Sequence, residues 1–281
     1  MSAIGLGLIA AFCWGLHDIA IRYLSRSVPL LGALLCVLIA GLVFHTGVLI
    51  ALGELRLPTG PAFWLSLGSG AAFLVASLGL YHAFERGPVR LVSPIIGAYP
   101  ILSLGFAALG GAAVGLDQVA AVLAIIAGVG VVASLSDRSG DPVPPRGPTI
   151  ALSLLSAVGF ATTFGLGQAA AALDGELPST LLARITALAL LVGIVLVRRP
   201  PLAVGRKALL PLALMGVLDG VALLAVMTAG TLDHPQFAAV ASSMFGLFTI
   251  VLAWGFLRER MTPPQWAGCV VAFCAIGYLA W

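Results

Sequence analysis

The chain has 281 residues, 60% of them apolar and 9% charged, against about 25% charged in an ordinary globular domain. Fourteen Lys and Arg against eleven Asp and Glu leave a net charge of +3, too little for a water-facing surface or a nucleic-acid-binding patch. Ten crossings of roughly 20 residues each would use about 200 residues, and what remains supplies loops and termini but no soluble domain.

Apolar runs bounded by charge, Pro or Gly predict ten helices, over 3–22, 29–52, 62–84, 88–110, 117–135, 148–171, 178–197, 209–229, 235–257 and 263–281. Pro29, Pro88, Pro148, Pro178 and Pro235 stand near the first turn of five of them, where the missing N–H has no helical partner to lose. No basic stretch precedes Ile4 to Ala20, so that run reads as a first membrane span and not as a cleaved signal. Cys13, Cys36, Cys269 and Cys274 sit singly inside apolar runs and read as small packing residues, with neither a disulfide framework nor a zinc site suggested.

Polar groups at membrane depth cost about 2.5–3.5 kcal/mol for Asp or Arg at a helix centre, so they are the first candidates for function. In the first span Trp14 and His17 are cavity candidates. Asp18 has Arg22 four residues on, spacing that predicts a local ion pair, while His17 points along another face as a gate or proton carrier. His45 in the second span reads as a packing histidine. Tyr81 and His82 end the third span and Tyr99 lies mid-way along the fourth, aromatic bodies with polar tips suited to an amphipathic ligand. Pro94 and Pro100 free backbone carbonyls in the fourth span and are candidate hinges, the competing reading being static kinks. Ser136 to Gly147 forms a charged, proline-rich linker.

In the sixth span Phe160, Phe164 and Gln168 recur at i, i+4 and i+8 on one face. Asp219, mid-way along the eighth and flanked by Gly216 and Gly220, is the sharpest candidate, to hold an ammonium or take a proton; the competing reading is a structural Asp paired with Arg184 of the seventh span. Ser242, Ser243, Met244, Phe245 and Phe248 line one side of the ninth, with Ser243, Phe245 and Phe248 the cavity candidates. Gly111–Gly115 and Gly268–Ala272 are small-xxx-small spacings that allow close helix packing.

Twelve of the fourteen basic residues fall in odd-numbered loops: Arg22 and Arg26, Arg86 and Arg90, Arg138 and Arg146, Arg198, Arg199, Arg206 and Lys207, and Arg258 and Arg260. Basic residues stay cytoplasmic, so both termini are expected on the outer side. A shift of 147 residues sets Gln118 on Gln265 and Gly130 on Gly277, and a shift of 146 sets Trp14 on Phe160 and Ala11 on Ala157. A five-helix unit crosses an odd number of times, so its second copy enters from the opposite side, and the loop charges swap accordingly. The expected architecture is an all-α polytopic membrane protein, ten transmembrane helices in two inverted five-helix repeats around a central cavity. Residues 1–136 form the first repeat, 137–147 the cytoplasmic linker and 148–281 the second repeat. Such repeats are typical of secondary transporters, with the site near mid-membrane between them.

Ten spans, short loops, the 5+5 pseudo-repeat and the run Glu259-Arg260-Met261-Thr262-Pro263-Pro264-Gln265-Trp266-Ala267-Gly268 resemble the EamA-type drug/metabolite transporter superfamily, and within it the bacterial aromatic amino-acid exporters. Arg258 stands where that family has the Gly of Gly-Glu, and Ala112 follows Gly111 where its Glu would be. The resemblance implies that the first, third, fourth, sixth, eighth and ninth helices surround the cavity, with the others as scaffold. It also implies an inner-membrane exporter of amino acids, aromatic ones preferred, and related metabolites. Its partners are a small-molecule substrate and membrane lipid, with no nucleic acid, no cofactor and no metal, and a monomer suffices. A flippase of a lipid-linked metabolite would need an Arg cluster for phosphate, whereas Arg184 is the single arginine inside a span. A channel is a further alternative. No H-E-x-x-H, P-loop, G-x-S-x-G or paired intramembrane aspartates mark a membrane enzyme.

Overall fold

A computed structural model describes residues 2–25, 27–102, 105, 115–135, 145–232, 236–258 and 261–279. Within them the chain is helical: α1 Ala3–Leu24, α2 Leu30–Leu52, α3 Gly60–Arg86, α4 Val89–Gly97, α5 Leu116–Ser134, α6 Arg146–Asp174, α7 Glu176–Arg198, α8 Arg206–Thr228, α9 Gln236–Ser243, α10 Phe245–Phe256 and α11 Pro263–Leu279. Six of these (α1, α2, α3, α6, α7 and α8) are long and apolar enough to cross a membrane, while 89–102, 116–128 and 241–256 are shorter apolar helices. The sequence predicts ten spans; the structure supports six outright. Exposed Trp64 on α3, Val197 on α7 and Phe256 on α10 suit hydrocarbon and not water. The chain is a multi-pass membrane protein.

Two predicted spans are not continuous helices. In the fourth, Ala98, Tyr99, Ile101 and Leu102 each donate to the carbonyl three residues back, a 3₁₀ tightening that straddles Pro100. Pro94 lies inside α4 without interrupting it. The ninth predicted span divides at Met244, where Met244 and Leu247 again donate three residues back. The two tightened segments face each other. A Cβ on Gly97 would lie 3.2 Å from the Ser243 carbonyl oxygen, and one on Gly246 would lie 3.0 Å from that of Ser93.

Helix packing exchanges partners between the halves. α3 packs on α6 as α8 packs on α1; α2 packs on α8 as α7 packs on α3; α4 packs on α6 as α9 and α10 pack on α1. The remaining pairs, α2 with α7, α4 with α10 and α5 with α11, join counterparts directly. This is the pairing of a two-fold repeat. Its two matched glutamines have a local cause. Gln118 accepts the Gly115 N–H at 3.1 Å, and Gln265 accepts the Thr262 N–H at 2.9 Å. Each closes the first turn of its helix from the third helical position, as in a capping box. The Gly268–Ala272 spacing serves packing: Gly128 of α5 lies against the Gly268 carbonyl and Ala272. Gly111 and Ala112, the 136–144 part of the linker, His234, Pro235 and Glu259-Arg260 lie outside the described residues.

Between α6 and α7 only Gly175 intervenes, at φ +88°. The turn is fastened to the α2–α3 connection: Arg56 Nη1 donates to Asp174 Oδ1 at 2.8 Å, and the Thr59 N–H donates to Asp174 Oδ2 at 2.7 Å.

Candidate functional site

On the inner face of α1, Trp14 and Asp18 stand one helical turn apart and so point the same way. The Trp14 indole Nε1 donates to Asp219 Oδ1 at 3.1 Å. Asp219 also accepts from Arg184: Nη2 donates to Oδ2 at 3.0 Å and to the Asp219 main-chain oxygen at 3.1 Å. Arg184 is 1% exposed and its guanidinium lies 5.9 Å from the Phe73 ring centroid. Asp219 thus has the Arg184 partner of the structural reading and at the same time lines the cavity.

His17 bridges two groups. Its Nδ1 is 3.0 Å from Asp18 Oδ1 and its Nε2 is 3.2 Å from the Tyr81 hydroxyl. With Asp18 ionised and the ring neutral, Nδ1–H donates to the carboxylate and Nε2 accepts the tyrosine proton. The expected Asp18–Arg22 pair does not form; Arg22 Nη1 instead donates to the Phe84 carbonyl at 2.6 Å. An adjacent imidazole on the buried side outcompetes a guanidinium that can reach a free carbonyl in the last turn of α3. Asp18 is 1% exposed and its Oδ2 has no partner.

Aromatic rings make the opposite wall. Trp14 stacks on Phe164 with centroids 5.5 Å apart, Phe164 on Phe160 at 5.8 Å, and Tyr99 meets Phe164 edge-on at 5.2 Å. Phe245 approaches Trp14 at 6.3 Å. The Tyr99 hydroxyl bonds to Ser242 Oγ, which ties the tightened part of the fourth span to α9. Trp14 and Phe160, superposed by the repeat shift, are 6.2 Å apart and so meet near the repeat axis. These groups surround a cavity with about 470 Å³ of free space, the open solvent at its mouth included.

The structure brings together eight of the twelve cavity candidates: Trp14, His17, Tyr81, Tyr99, Phe160, Phe164, Asp219 and Phe245. The other four lie elsewhere. His82 is partly exposed beside Glu85 at 3.3 Å. Gln168 donates to the Val226 carbonyl at 3.2 Å. Ser243 is buried at the α9–α10 junction. Phe248 is 38% exposed and meets Phe12 edge-on at 6.3 Å. His45 has the packing role expected of it, its Nε2 lying 3.0 Å from the Leu177 carbonyl.

Asp18, which the sequence assigns to a local pair with Arg22, also lines the cavity, as do Phe73 and Ser77, which no sequence signal singles out. The i, i+4 relation of Trp14 and Asp18 was the available signal. Nor is α2 peripheral, since Leu34, Val37 and Leu38 form part of the wall; α7 supplies Arg184 from the second layer.

Apolar outer faces, two interlocked repeats and a polar, aromatic cavity filled from both halves define a membrane transporter of small molecules. The chain belongs to the EamA-like transporter family, whose family model matches residues 1–134 and again 147–281. A crystal structure described only as that of a protein shares the fold, with a TM-score of 0.75 at 16% identity over 98% of this chain and 94% of the other. It is one of 28 matching chains of solved structure. No curated protein matches the chain.

Proposed function

We propose that this protein is an exporter of amino acids, aromatic ones preferred, and of related small metabolites across the bacterial inner membrane. The two inverted five-helix repeats, with ten crossings in all and both termini outside, rock about the cavity to give alternating access. One observation carries the reading: buried carboxylates at Asp18 and Asp219 and a continuous aromatic wall share a cavity to which both halves contribute. An aromatic side chain stacks on Trp14, Phe160 and Phe164, and an ammonium is met by carboxylate. Tyr99, Tyr81 and His17 offer the polar edge.

The 3₁₀ segments at Tyr99 and Met244 support a bending role for the middle of the fourth and ninth spans, Pro100 more directly than Pro94. One chain holds both repeats, so a monomer suffices, with membrane lipid as its only other neighbour. A lipid-linked phosphate has little to bind here, because Arg184 is engaged by Asp219. The protein acts as a carrier and not as an enzyme.

The test is counterflow in proteoliposomes with labelled Phe, Thr and Lys, with and without a pH gradient. Saturable exchange of Phe above Thr and Lys supports the proposal. Absence of exchange for every amino acid overturns it, and non-saturating flux without counterflow would make the protein a channel.

A further inference from the structure

Asp219 and Arg184 neutralise each other at 3.0 Å. His17 stands between Asp18 and Tyr81, and one oxygen of Asp18 has no partner although the residue is 99% shielded. Of the described lining residues, none is Lys or Arg. Arg184 is not among the described lining residues; its Nη2 is bonded to Asp219 and its unpartnered Nη1 lies against Gly41 of α2. The tyrosines at 81 and 99 are neutral donors already engaged with His17 and Ser242. The cavity therefore holds a carboxyl group, Asp18, whose one partner is an imidazole and whose second oxygen is unmet, opposite an aromatic wall.

Such a site has a preferred ligand chemistry. A buried carboxylate oxygen without a donor is costly, and an ammonium N–H supplies a charge-assisted bond to it. The aromatic rings that line the same cavity, Trp14, Phe160 and Phe164 among them, add to the attraction of a cation. A ligand carboxylate finds the reverse: no Lys or Arg among the described lining residues, and two carboxylates nearby. We infer that the cavity selects aryl-alkyl ammonium ions that lack a carboxylate, with Asp18 as the residue that discriminates. The inference rests on the exporter reading above and, within its class of amino acids and related small metabolites, ranks the aryl-alkyl amines above the zwitterionic amino acids.

Three ligands with one ring and different charge test it: phenethylammonium, phenylalanine and 3-phenylpropanoate, titrated calorimetrically against the full chain in lipid nanodiscs, alongside counterflow of labelled phenylalanine. Phenethylammonium is expected to bind about tenfold tighter than phenylalanine, the equivalent of one charge-assisted bond, and phenylpropanoate weakest. Asp18→Asn is expected to erase the advantage of the cation, and Asp18→Glu to restore it. Phenylalanine or phenylpropanoate binding as tightly as the cation to the unaltered protein overturns the inference without any variant. So does a folded Asp18→Asn that still discriminates, or phenylalanine counterflow with no phenethylammonium binding. Binding of phenethylammonium with no counterflow of any solute supports the ligand class and refutes the exporter reading, whereas failure of all binding and all counterflow refutes both.

Discussion

The Trp14 indole donates to Asp219 at 3.1 Å across 205 residues of sequence, and so ties the first helix of one repeat to the third helix of the other. Trp14→Phe keeps an aromatic ring against Phe164 and removes the donor. A buried acceptor left unmet costs about 1–3 kcal/mol. Thermal unfolding of the purified chain in nanodiscs is expected to show a loss of that order, with weaker counterflow. Unchanged stability and flux would mean that the indole N–H holds nothing.

Arg184 and Asp219 are both buried, so removing one leaves an uncompensated charge. Arg184→Leu is expected to cost about 3–5 kcal/mol, and the double variant Arg184→Leu with Asp219→Leu far less, because burying a pair is itself expensive. Folded yield after detergent extraction is the readout. A double variant as unstable as the sum of its singles would show that the two do not act as a pair.

Gly216 sits where α8 crosses α2; a Cβ there would lie 2.5 Å from the Val37 carbonyl oxygen and 2.6 Å from Ala40 Cβ. Gly216→Ala is expected to destabilise by about 1–3 kcal/mol through overpacking. Gly193→Ala on α7 meets nothing within 4 Å and is expected to be neutral in the same unfolding assay. Equal effects at the two positions would contradict the packing.

Gln118 and Gln265 each close a helix start. Either one changed to Ala is expected to cost about 1 kcal/mol while leaving the ligand affinity of the folded protein intact. A selective loss of binding by Gln265→Ala would give that glutamine a part in recognition.

Loop charge sets the topology. A protease-cleavable tag after Trp281 is expected to be cut in spheroplasts without lysis. Protection of the tag until lysis would reverse the orientation, and with it the direction assigned to each face of the cavity.

Much of this was legible in the sequence because hydropathy and charge report on lipid and potential, which act on every residue alike. Six of the ten spans, the duplication signalled by Gln118 and Gln265, and the aromatic face of Phe160 and Phe164 came through. Partner choice did not. The i, i+4 rule paired Asp18 with Arg22, but the rule describes an isolated helix, and the Phe84 carbonyl belongs to another one. Periodicity placed Phe248 with Phe245, yet only packing decides which of two neighbouring faces meets lipid. The 3₁₀ segments were half visible: Pro100 marks the first, while the second, at Met244, has no proline to announce it. Leu34, Val37 and Leu38 carry no polar signal at all, so the contribution of α2 to the wall could come only from the fold.

Gly97 against Ser243 and Gly246 against Ser93 are reciprocal contacts at the two places where helical bonding tightens. A side chain at either glycine would meet the backbone of the opposite column, so each column sets the other's spacing at the level where both depart from regular helix.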